Sequence, residues 1–404
     1  MIDRFISTYR RLLDSVGSYR HHRYIYSAFN IRNRLTGLIG PRGTGKTTLL
    51  LQFINEKIED KEECIYVSVD NIYFSGHRLT DFVNELYEDY GIRYFFLDEI
   101  HKYPAWNQEL KNIYDSYPDI RIVFSGSSSI DLIRGTYDLS RRAVIFRIAG
   151  MSFREYLLFN DIEDIQPVSF ETLLRNRKKI ESGIAGIKKI KGYFKNYLEN
   201  GYYPFVLEDT ATYHQKILRV IEKTVYEDIA GYYHLKTENL SNFKRILAYL
   251  ATIPPGELNR NSIAKNIGLD NKTILNYLNI LKETGLIELI SENKSGSNLL
   301  KQKEKIYLDN PDIYKAIIDE IGYKSEIGTI REVFFIKMIR NSGNEIHVGT
   351  VGDFVVDNTL FEIGGRSKNR KQIKNNLPNA FLVKDDILYG SKDEIPLYLF
   401  GFLY

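Results

Sequence analysis

The chain has 404 residues, which is longer than one ordinary hydrophobic core supports and predicts two or three domains. Its 43% hydrophobic and 26% charged residues are typical of a folded globular protein and exclude a largely disordered chain. The net charge of +3 is too small to indicate a nucleic-acid partner by itself, and the single cysteine, Cys64, excludes an internal disulfide.

From the sequence we expect neither a membrane-spanning segment nor a secretion signal. No stretch approaches the roughly 18–20 consecutive apolar residues of a membrane span, and the amino terminus lacks the apolar core of a signal peptide. Together with the lone cysteine, these features predict a cytoplasmic protein without a membrane partner. Residues 1–34 are rich in arginine, so we expect a basic amino-terminal helix. It is either a solvated helix or a surface that binds phosphates or acidic groups.

Residues 35–150 alternate short apolar segments with helical segments. This alternation predicts a parallel sheet covered by helices on both faces. The expected helices lie near residues 45–58, 79–90 and 106–116. The expected strands are 35–39, 64–69, 94–98, 120–125 and 143–148.

The remaining sequence predicts three further regions. We expect a helical linker or lid over 151–245, a winged helix-turn-helix over 246–308, and an α/β nuclease-like domain over 309–404. With residues 1–150 as a first domain built on a parallel sheet, the predicted fold class is α/β.

Residues 40–47 match the Walker A pattern G-x-x-x-x-G-K-[ST] between a predicted strand and a predicted helix. Glycines let backbone N–H groups turn toward the β-phosphate, and the helix amino terminus adds partial positive charge. Lys46 is expected to reach the β- and γ-phosphates of ATP, and the Thr47 hydroxyl is expected to ligate Mg²⁺. The predicted nucleotide-binding residues are Gly40, Pro41, Arg42, Gly43, Thr44, Gly45, Lys46, Thr47 and Thr48. Residues 1–150 are therefore predicted to form a P-loop ATPase domain.

Asp98 and Glu99 end an apolar strand and form the predicted Walker B motif. Asp98 is expected to hold Mg²⁺, and Glu99 is expected to orient or deprotonate the attacking water. Ser127 follows the next strand and is either a sensor of the γ-phosphate or a helix N-cap. Arg142 either stabilises transition-state charge, in this chain or a neighbour, or forms a surface salt bridge.

Several motifs resemble one family of ATPases. The residues concerned are 96–102 (FLDEIHK), Trp106, 125–129 (SGSSS), Arg141-Arg142 and 152–156 (SFREY). They resemble archaeal and bacterial ATPases of the AAA superclass, whose members pair the ATPase with a carboxyl-terminal domain of unknown function that contains a nuclease-like fold. The resemblance covers essentially the whole chain and implies a cytoplasmic ATP-binding protein.

Residues 261–267 and 271–283 predict two helices joined by a turn with Gly268. The outward face of the second helix is expected to carry side chains that suit base edges and phosphates of double-stranded DNA. A protein-interaction module is the alternative. The side chains of that face are Asn271, Lys272, Thr273, Asn276 and Asn279.

Glu332, Asp353 and Glu362 match the acids of restriction-endonuclease-like sites, on a helix and the two strands of a hairpin. Such a set would form a second Mg²⁺ site. Gly364 occupies the position where that pattern has lysine, although Lys368 or Lys371 from the following helix is an alternative source of an amine. We therefore expect an inactive nuclease-like domain that is retained for binding or assembly.

Two functions follow from these motifs. The first is an ATPase that binds ATP and ADP with Mg²⁺ and couples its nucleotide state to a DNA partner. The alternative is a slow nucleotide-dependent switch that acts on a protein partner or within a homo-oligomer. The paired acids Asp98 and Glu99 favour hydrolysis, whereas the missing lysine at 364 favours a passive carboxyl-terminal domain.

Overall fold

The computed structural model describes residues 2–127, 139, 141–233, 235–254, 256, 259–293, 303–369 and 379–404. The chain forms two compact units, Met1–Gly150 and Met151–Tyr404. The predicted subdivision of the second unit at residues 245 and 308 stays a prediction. Among the residues in these ranges, no helix has the length and apolar character needed to cross a membrane.

The first unit contains the parallel sheet that the sequence predicts. Every neighbouring pair of strands runs parallel, in the order β2-β3-β4-β1-β5. Strands β1 and β3 match the predicted bounds, and the other three differ from them by one residue at one or both ends. The strands are β1 Leu35–Ile39, β2 Cys64–Ser68, β3 Tyr94–Asp98, β4 Arg121–Gly126 and β5 Ala143–Arg147.

Strands β1, β3 and β4 are almost entirely buried, as expected of a sheet covered by helices on both faces. Because all strands run in one direction, the segments that follow β1, β3 and β4 meet at one edge of the sheet, where such sheets bind ligands. The helices of this unit are α1 Ile2–Val16, α2 Lys46–Lys57, α3 Leu79–Tyr90 and α4 Trp106–Ser116, with 3₁₀ turns at Ile72–Ser75 and Ile100–Lys102.

The second unit combines helices with two sheets. Its first helix is capped at its amino terminus by Ser152, which forms a reciprocal capping box with Glu155. The helices are α5 Phe153–Phe159, α6 Phe170–Ala185, α7 Ile190–Asn200, α8 Tyr213–Lys223, α9 Ala230–Tyr233, α10 Thr237–Thr252, α11 Arg260–Ile267, α12 Asn271–Glu283, α13 Pro311–Glu320 and α14 Ile327–Asn341.

Helices α11 and α12 are joined by a three-residue turn. Gly268 ends α11 with a φ of 82°, a conformation that glycine adopts at little cost, and the Asp270 side chain caps α12. Strands β6 Ile287–Ser291 and β7 Glu304–Leu308 follow and pair antiparallel. Residues 294–302, between these strands, lie outside the described residues.

A mixed sheet ends the chain, in the order β12-β11-β10-β9-β8. Strands β9 and β10 form the predicted hairpin, with positive φ angles of 46° at Asp357 and 62° at Asn358, as a tight two-residue turn requires. The strands are β8 His347–Val348, β9 Phe354–Val356, β10 Thr359–Gly364, β11 Ala380–Lys384 and β12 Glu394–Pro396.

Candidate active site

The loop between β1 and α2 has the backbone that phosphate binding requires. Gly43 and Gly45 have φ angles of 80° and 87°, in the left-handed region that favours glycine. A Cβ atom at Gly40 would collide with the carbonyl oxygen of Ile148. Residues 40–45 therefore form a tight loop that leads directly into the amino terminus of α2.

Lys46 is buried and folded back along this loop. Its Nζ donates hydrogen bonds to the carbonyl oxygens of Gly40 at 2.9 Å and Pro41 at 3.0 Å. The Thr44 hydroxyl donates to the same Pro41 oxygen at 2.8 Å. The ammonium therefore lies at the mouth of the loop, where a phosphate oxygen would be a stronger, charged acceptor than a carbonyl.

Asp98 is a buried carboxylate surrounded by neutral hydrogen-bond donors. Its Oδ2 accepts hydrogen bonds from Thr47 Oγ1 at 2.5 Å and from the Tyr66 hydroxyl at 2.6 Å. Its Oδ1 accepts from the Ser125 hydroxyl and from the Glu99 backbone N–H at 3.0 Å. Burial and the nearby Asp98 charge raise the pKa of Tyr66, which therefore stays a donor. The adjacent Thr47 and Asp98 oxygens are the hard donors that suit Mg²⁺.

Glu99 adopts a left-handed backbone conformation, with φ 55° and ψ 37°. For a non-glycine residue this costs about 1–3 kcal/mol, and such strain is concentrated at functional sites. Its Oε2 lies 3.6 Å from Arg42 Nη1 and 3.5 Å from His101 Nε2, and His101 Nε2 lies 3.3 Å from Ser127 Oγ. The structure thus brings the predicted base together with the predicted sensor and one residue of the loop.

Arg142 lies elsewhere, and this corrects its predicted role within its own chain. Its guanidinium makes two hydrogen bonds to Asp115, at 3.2 and 3.3 Å. It precedes β5, whose first residue pairs with Leu35 at the start of β1, whereas the phosphate loop follows the end of β1. Because the strands are parallel, Arg142 lies at the opposite edge of the sheet, and only a role toward a neighbouring chain remains open.

Four residues near the loop and the acids were not predicted as site residues. Tyr66 and Ser125 bond Asp98, His101 contacts Glu99 and Ser127, and Arg23 bonds the carbonyl oxygens of Thr44 and Ala149. His101 and Ser125 lie in segments that carry the family resemblance, but no role was predicted for either. Only the strand order brings Tyr66 beside Asp98. The predicted residue Thr48 lies half-buried in the first turn of α2.

The three acids of the second unit each have a separate partner. Tyr307 donates to Glu332 at 2.7 Å, the Ile363 N–H donates to Asp353 at 2.8 Å, and Lys368 Nζ lies 2.5 Å from Glu362. Within the described ranges, no three His, Cys, Asp or Glu side chains are grouped so as to hold a metal. The predicted Mg²⁺ site of Glu332, Asp353 and Glu362 is therefore not assembled in this structure.

Lys368 supplies the amine that Gly364 lacks. A Cβ atom at Gly364 would lie 2.5 Å from Cβ and Cγ of Lys368, so the lysine stem crosses the space that the glycine leaves open. Burial opposes the Lys368 charge, but Glu362, Asp353 and Glu332 together raise its pKa. Lys371, the other predicted source, lies outside the described residues.

Burial and the neighbouring Asp353 raise the pKa of Glu332 to about 7, and burial also raises the pKa of Glu362. Lys305, on β7, has its Nζ 4.0 Å from Asp353 and 5.5 Å from the centre of the Phe354 ring. Strand β7 therefore contributes both Lys305 and Tyr307 to the acid cluster, which no local sequence pattern indicated.

The outward face of α12 is only partly available for a partner. Lys272, Asn276 and Asn279 are exposed. Asn271 instead bonds the Asn261 side chain at 2.7 Å, and the Thr273 hydroxyl bonds Asp270 at 2.6 Å.

Residues 32–157 match the family described as an AAA domain. Together with the phosphate loop and the parallel sheet, this match supports an AAA-type, nucleotide-binding P-loop domain in the first unit. Residues 191–320 match a family described as a domain of unknown function (DUF8612).

The chain is 28% identical, over 374 residues, to the "Uncharacterized protein MJ1637" of Methanocaldococcus jannaschii, covering 85% of this chain and 78% of that one. Among solved structures, AMPPCP-bound DnaA from Aquifex aeolicus is similar at 18% identity and a TM-score of 0.27, covering 69% of this chain and 86% of that chain. The Hsp104–ADP complex of S. cerevisiae is similar at 14% identity and a TM-score of 0.31, covering 69% of this chain and 38% of that chain.

Proposed function

We propose that the first unit binds ATP with Mg²⁺ and hydrolyses it to ADP and phosphate. The observation that carries this proposal is the 2.5 Å contact between Thr47 Oγ1 and Asp98 Oδ2, with the Lys46 ammonium at the mouth of the same loop. A hydroxyl, a carboxylate and an ammonium in this arrangement suit a metal-bound triphosphate.

Binding begins with the loop. Its backbone N–H groups and the amino terminus of α2 hold the β-phosphate, and Lys46 exchanges the carbonyls of Gly40 and Pro41 for phosphate oxygens. Thr47 and Asp98 are the residues that would hold Mg²⁺, which, when bound, neutralises charge on the phosphate oxygens.

Hydrolysis then needs a base and a donor. A water oxygen attacks the γ-phosphorus, Glu99 accepts the water proton, and the bond to the departing ADP oxygen breaks. Ser127 donates a hydrogen bond to a γ-phosphate oxygen and so detects whether that phosphate is present. Because Arg142 lies at the far edge of the sheet, it acts in this scheme only from a neighbouring copy.

The second unit is the proposed partner-binding region, with α11, α12, β6 and β7 as a winged helix that contacts double-stranded DNA. Exposed Lys272 supports contact with phosphate, and exposed Asn276 supports contact with a base edge. Lys305 is less suited to DNA because its ammonium faces Asp353. The competing partner is a protein, or a second copy of the chain.

The test is ATP turnover with and without double-stranded DNA, at several salt concentrations. We expect DNA to change the rate and the apparent affinity to fall steeply with salt. Lys272→Ala should reduce the salt slope by about one, whereas Asn276→Ala should change sequence preference. An ATP turnover rate that DNA does not change at low salt would favour the alternative, a switch that acts on a protein partner.

A second candidate function is metal-dependent cleavage of nucleic acid by a restriction-endonuclease-like fold in the second unit. The observation that favours it is the Lys368 ammonium beside Glu362, which replaces the lysine missing at Gly364. Mg²⁺ and Mn²⁺ should then support plasmid cleavage that Glu362→Ala abolishes and Asp319→Ala, a substitution of a half-exposed acid on α13, leaves intact. Equal cleavage by all three chains would indicate a contaminating nuclease, and no cleavage would leave a passive domain.

A further inference from the structure

His101 takes no part in the scheme above, although it lies between two of its residues. It belongs to the 3₁₀ turn Ile100–Lys102 that follows β3, and its side chain is only 4% exposed. Its Nε2 lies 3.3 Å from Ser127 Oγ and 3.5 Å from Glu99 Oε2. One ring nitrogen thus faces both the predicted sensor of the γ-phosphate and the predicted base.

We propose that His101 is a positioning residue that transmits the presence of the γ-phosphate from Ser127 to Glu99. This inference rests on the proposed ATPase function. A single ring nitrogen makes one well-aligned hydrogen bond, so Ser127 and Glu99 compete for it. When Ser127 donates its hydrogen bond to a γ-phosphate, His101 instead bonds Glu99 and orients the carboxylate toward the water. When only ADP is bound, Ser127 bonds His101 again.

The surroundings of Glu99 make such a switch effective. Arg42 Nη1 approaches the same oxygen, Oε2, from the phosphate loop at 3.6 Å. Among the described residues, Oε2 is buried without a hydrogen bond of good geometry. The carboxylate is therefore close to two cationic or polar groups but aligned with neither, and a small shift of His101 decides which way it points.

The backbone around His101 is shaped as a distinct segment. Two non-glycine residues with left-handed conformations bound it, Glu99 with φ 55° and Ala105 with φ 55°. Trp106 follows directly and begins α4. Its ring centroid lies 5.7 Å from that of Phe124 on β4, the strand that leads to Ser127. Trp106 is the single tryptophan of the chain, so its emission reports on this segment without labelling.

The experiment compares the full-length chain with His101→Phe, which keeps a planar ring but no polar atom, and His101→Gln, which keeps an N–H donor. His77→Phe is the matched control, because His77 is an exposed histidine whose ring bonds the Tyr73 carbonyl outside the site. Each chain is measured for kcat and KM with ATP, and for Trp106 emission with ADP and with a non-hydrolysable ATP analogue.

We expect His101→Phe to lower kcat by about tenfold with KM unchanged, and to remove the difference in emission between the ATP analogue and ADP. His101→Gln should keep most of the parental kcat and most of the emission difference, and His77→Phe should match the parent. Because Ser127 acts on Glu99 through His101, the effects of His101→Phe and Ser127→Ala on kcat should not multiply in the double variant.

The relay is overturned if His101→Phe keeps the parental kcat and the difference in emission. It is also overturned if the effects of His101→Phe and Ser127→Ala multiply, as two independent structural defects would. If His101→Phe does not fold, His101→Gln decides, since a loss of the emission difference with an intact amide donor contradicts the relay. A parent that binds ATP without releasing phosphate would refute the proposed hydrolysis alone, and the emission comparison would still decide the relay.

Discussion

Asp98 in the first unit and Glu362 in the second are both buried carboxylates on a strand, but their partners differ. Asp98 accepts hydrogen bonds from hydroxyls and a backbone N–H, all of them neutral. Glu362 faces the ammonium of Lys368 at 2.5 Å. Neutral donors orient a carboxylate and leave its charge available, whereas an ammonium neutralises that charge.

The difference teaches how to tell a cation site from an ion pair in a structure without ligands. Asp98 retains a negative charge that suits a metal–triphosphate complex, and its neighbour Thr47 offers a second oxygen. Glu362 already has a cationic partner, so a metal at the acid cluster would share this carboxylate with Lys368. The first site should therefore bind Mg²⁺ together with ATP more readily than the second binds Mg²⁺.

The largest effect should come from Lys46→Ala. Loss of the ammonium that faces the β- and γ-phosphates should reduce turnover by about a hundredfold or more and weaken ATP binding, as measured by titration with a fluorescent ATP analogue. Lys57→Ala, an exposed lysine at the end of the same helix, is the control and should match the parent. If Lys46→Ala turns over ATP like the parent, the loop and Asp98 do not form the ATP site, and the comparison with Glu362 fails.

The two acids of the first site should separate binding from chemistry. Glu99→Gln removes the base while keeping the shape, so kcat should fall by about a hundredfold or more with ATP–Mg²⁺ binding retained. Asp98→Asn should instead raise the Mg²⁺ concentration needed for half-maximal turnover. Similar, mild effects of both changes on both quantities would contradict the separate roles.

A third buried carboxylate, Asp312, shows how burial among neutral hydrogen-bond donors affects the stability of the folded chain. It accepts hydrogen bonds from the Tyr213 hydroxyl and the Tyr202 N–H, and burial raises its pKa from 3.8 to about 6. Because the folded state holds this proton more tightly than the unfolded state, its contribution to stability falls as pH rises from about 4 to about 6 and stays low above that.

Asp312→Asn should remove this dependence. Relative to the variant, the parent should lose up to about 3 kcal/mol of unfolding free energy between pH 4 and pH 7, measured by chemical denaturation at each pH. The difference between the two chains is the informative quantity, because other groups titrate in both. A constant difference across this range would contradict the assigned shift.

The smallest predicted effect concerns the contact between Gly364 and Lys368. Gly364→Ala places a methyl group against the lysine stem and should cost about 1–3 kcal/mol of unfolding free energy. In a Lys368→Ala background the same change should cost much less, because the stem is gone. Equal costs in both backgrounds, measured by denaturant titration, would show that the stem does not cross Gly364 and would weaken the contrast with Asp98.

The phosphate loop and the parallel sheet were predictable because their signals are local. Residues 40–47 combine glycines, a lysine and a hydroxyl in one short segment, and near-continuous apolar strands indicate a sheet covered on both faces. The sheet is confirmed, and the match of residues 32–157 to an AAA domain supports the predicted class of the first unit. The roles of Lys46, Thr47, Asp98, Glu99 and Ser127 stay predictions that the geometry supports.

What could not be predicted depends on strand order and on contacts distant in the sequence. Tyr66 reaches Asp98 only because β2 lies beside β3, and Lys305 meets Asp353 only because β7 adjoins the last sheet. The sequence left Arg142 open between a catalytic role and a surface salt bridge, because only the sheet shows that it lies at the opposite edge from the loop, beside Asp115. The choice of Lys368 required side-chain geometry, because a glycine at 364 does not by itself reveal which lysine fills its space.

The central claim is that Asp98 and Glu99 serve an ATP-hydrolysing site, and the most direct test is the identity of the nucleotide bound after incubation with ATP and Mg²⁺. The parent and Glu99→Gln are freed of unbound nucleotide, denatured, and analysed for ATP and ADP by chromatography. We predict ADP in the parent and ATP in Glu99→Gln, because the variant binds the substrate without a base to activate water. ATP in both chains would contradict hydrolysis, and ADP in both would contradict the role of Glu99.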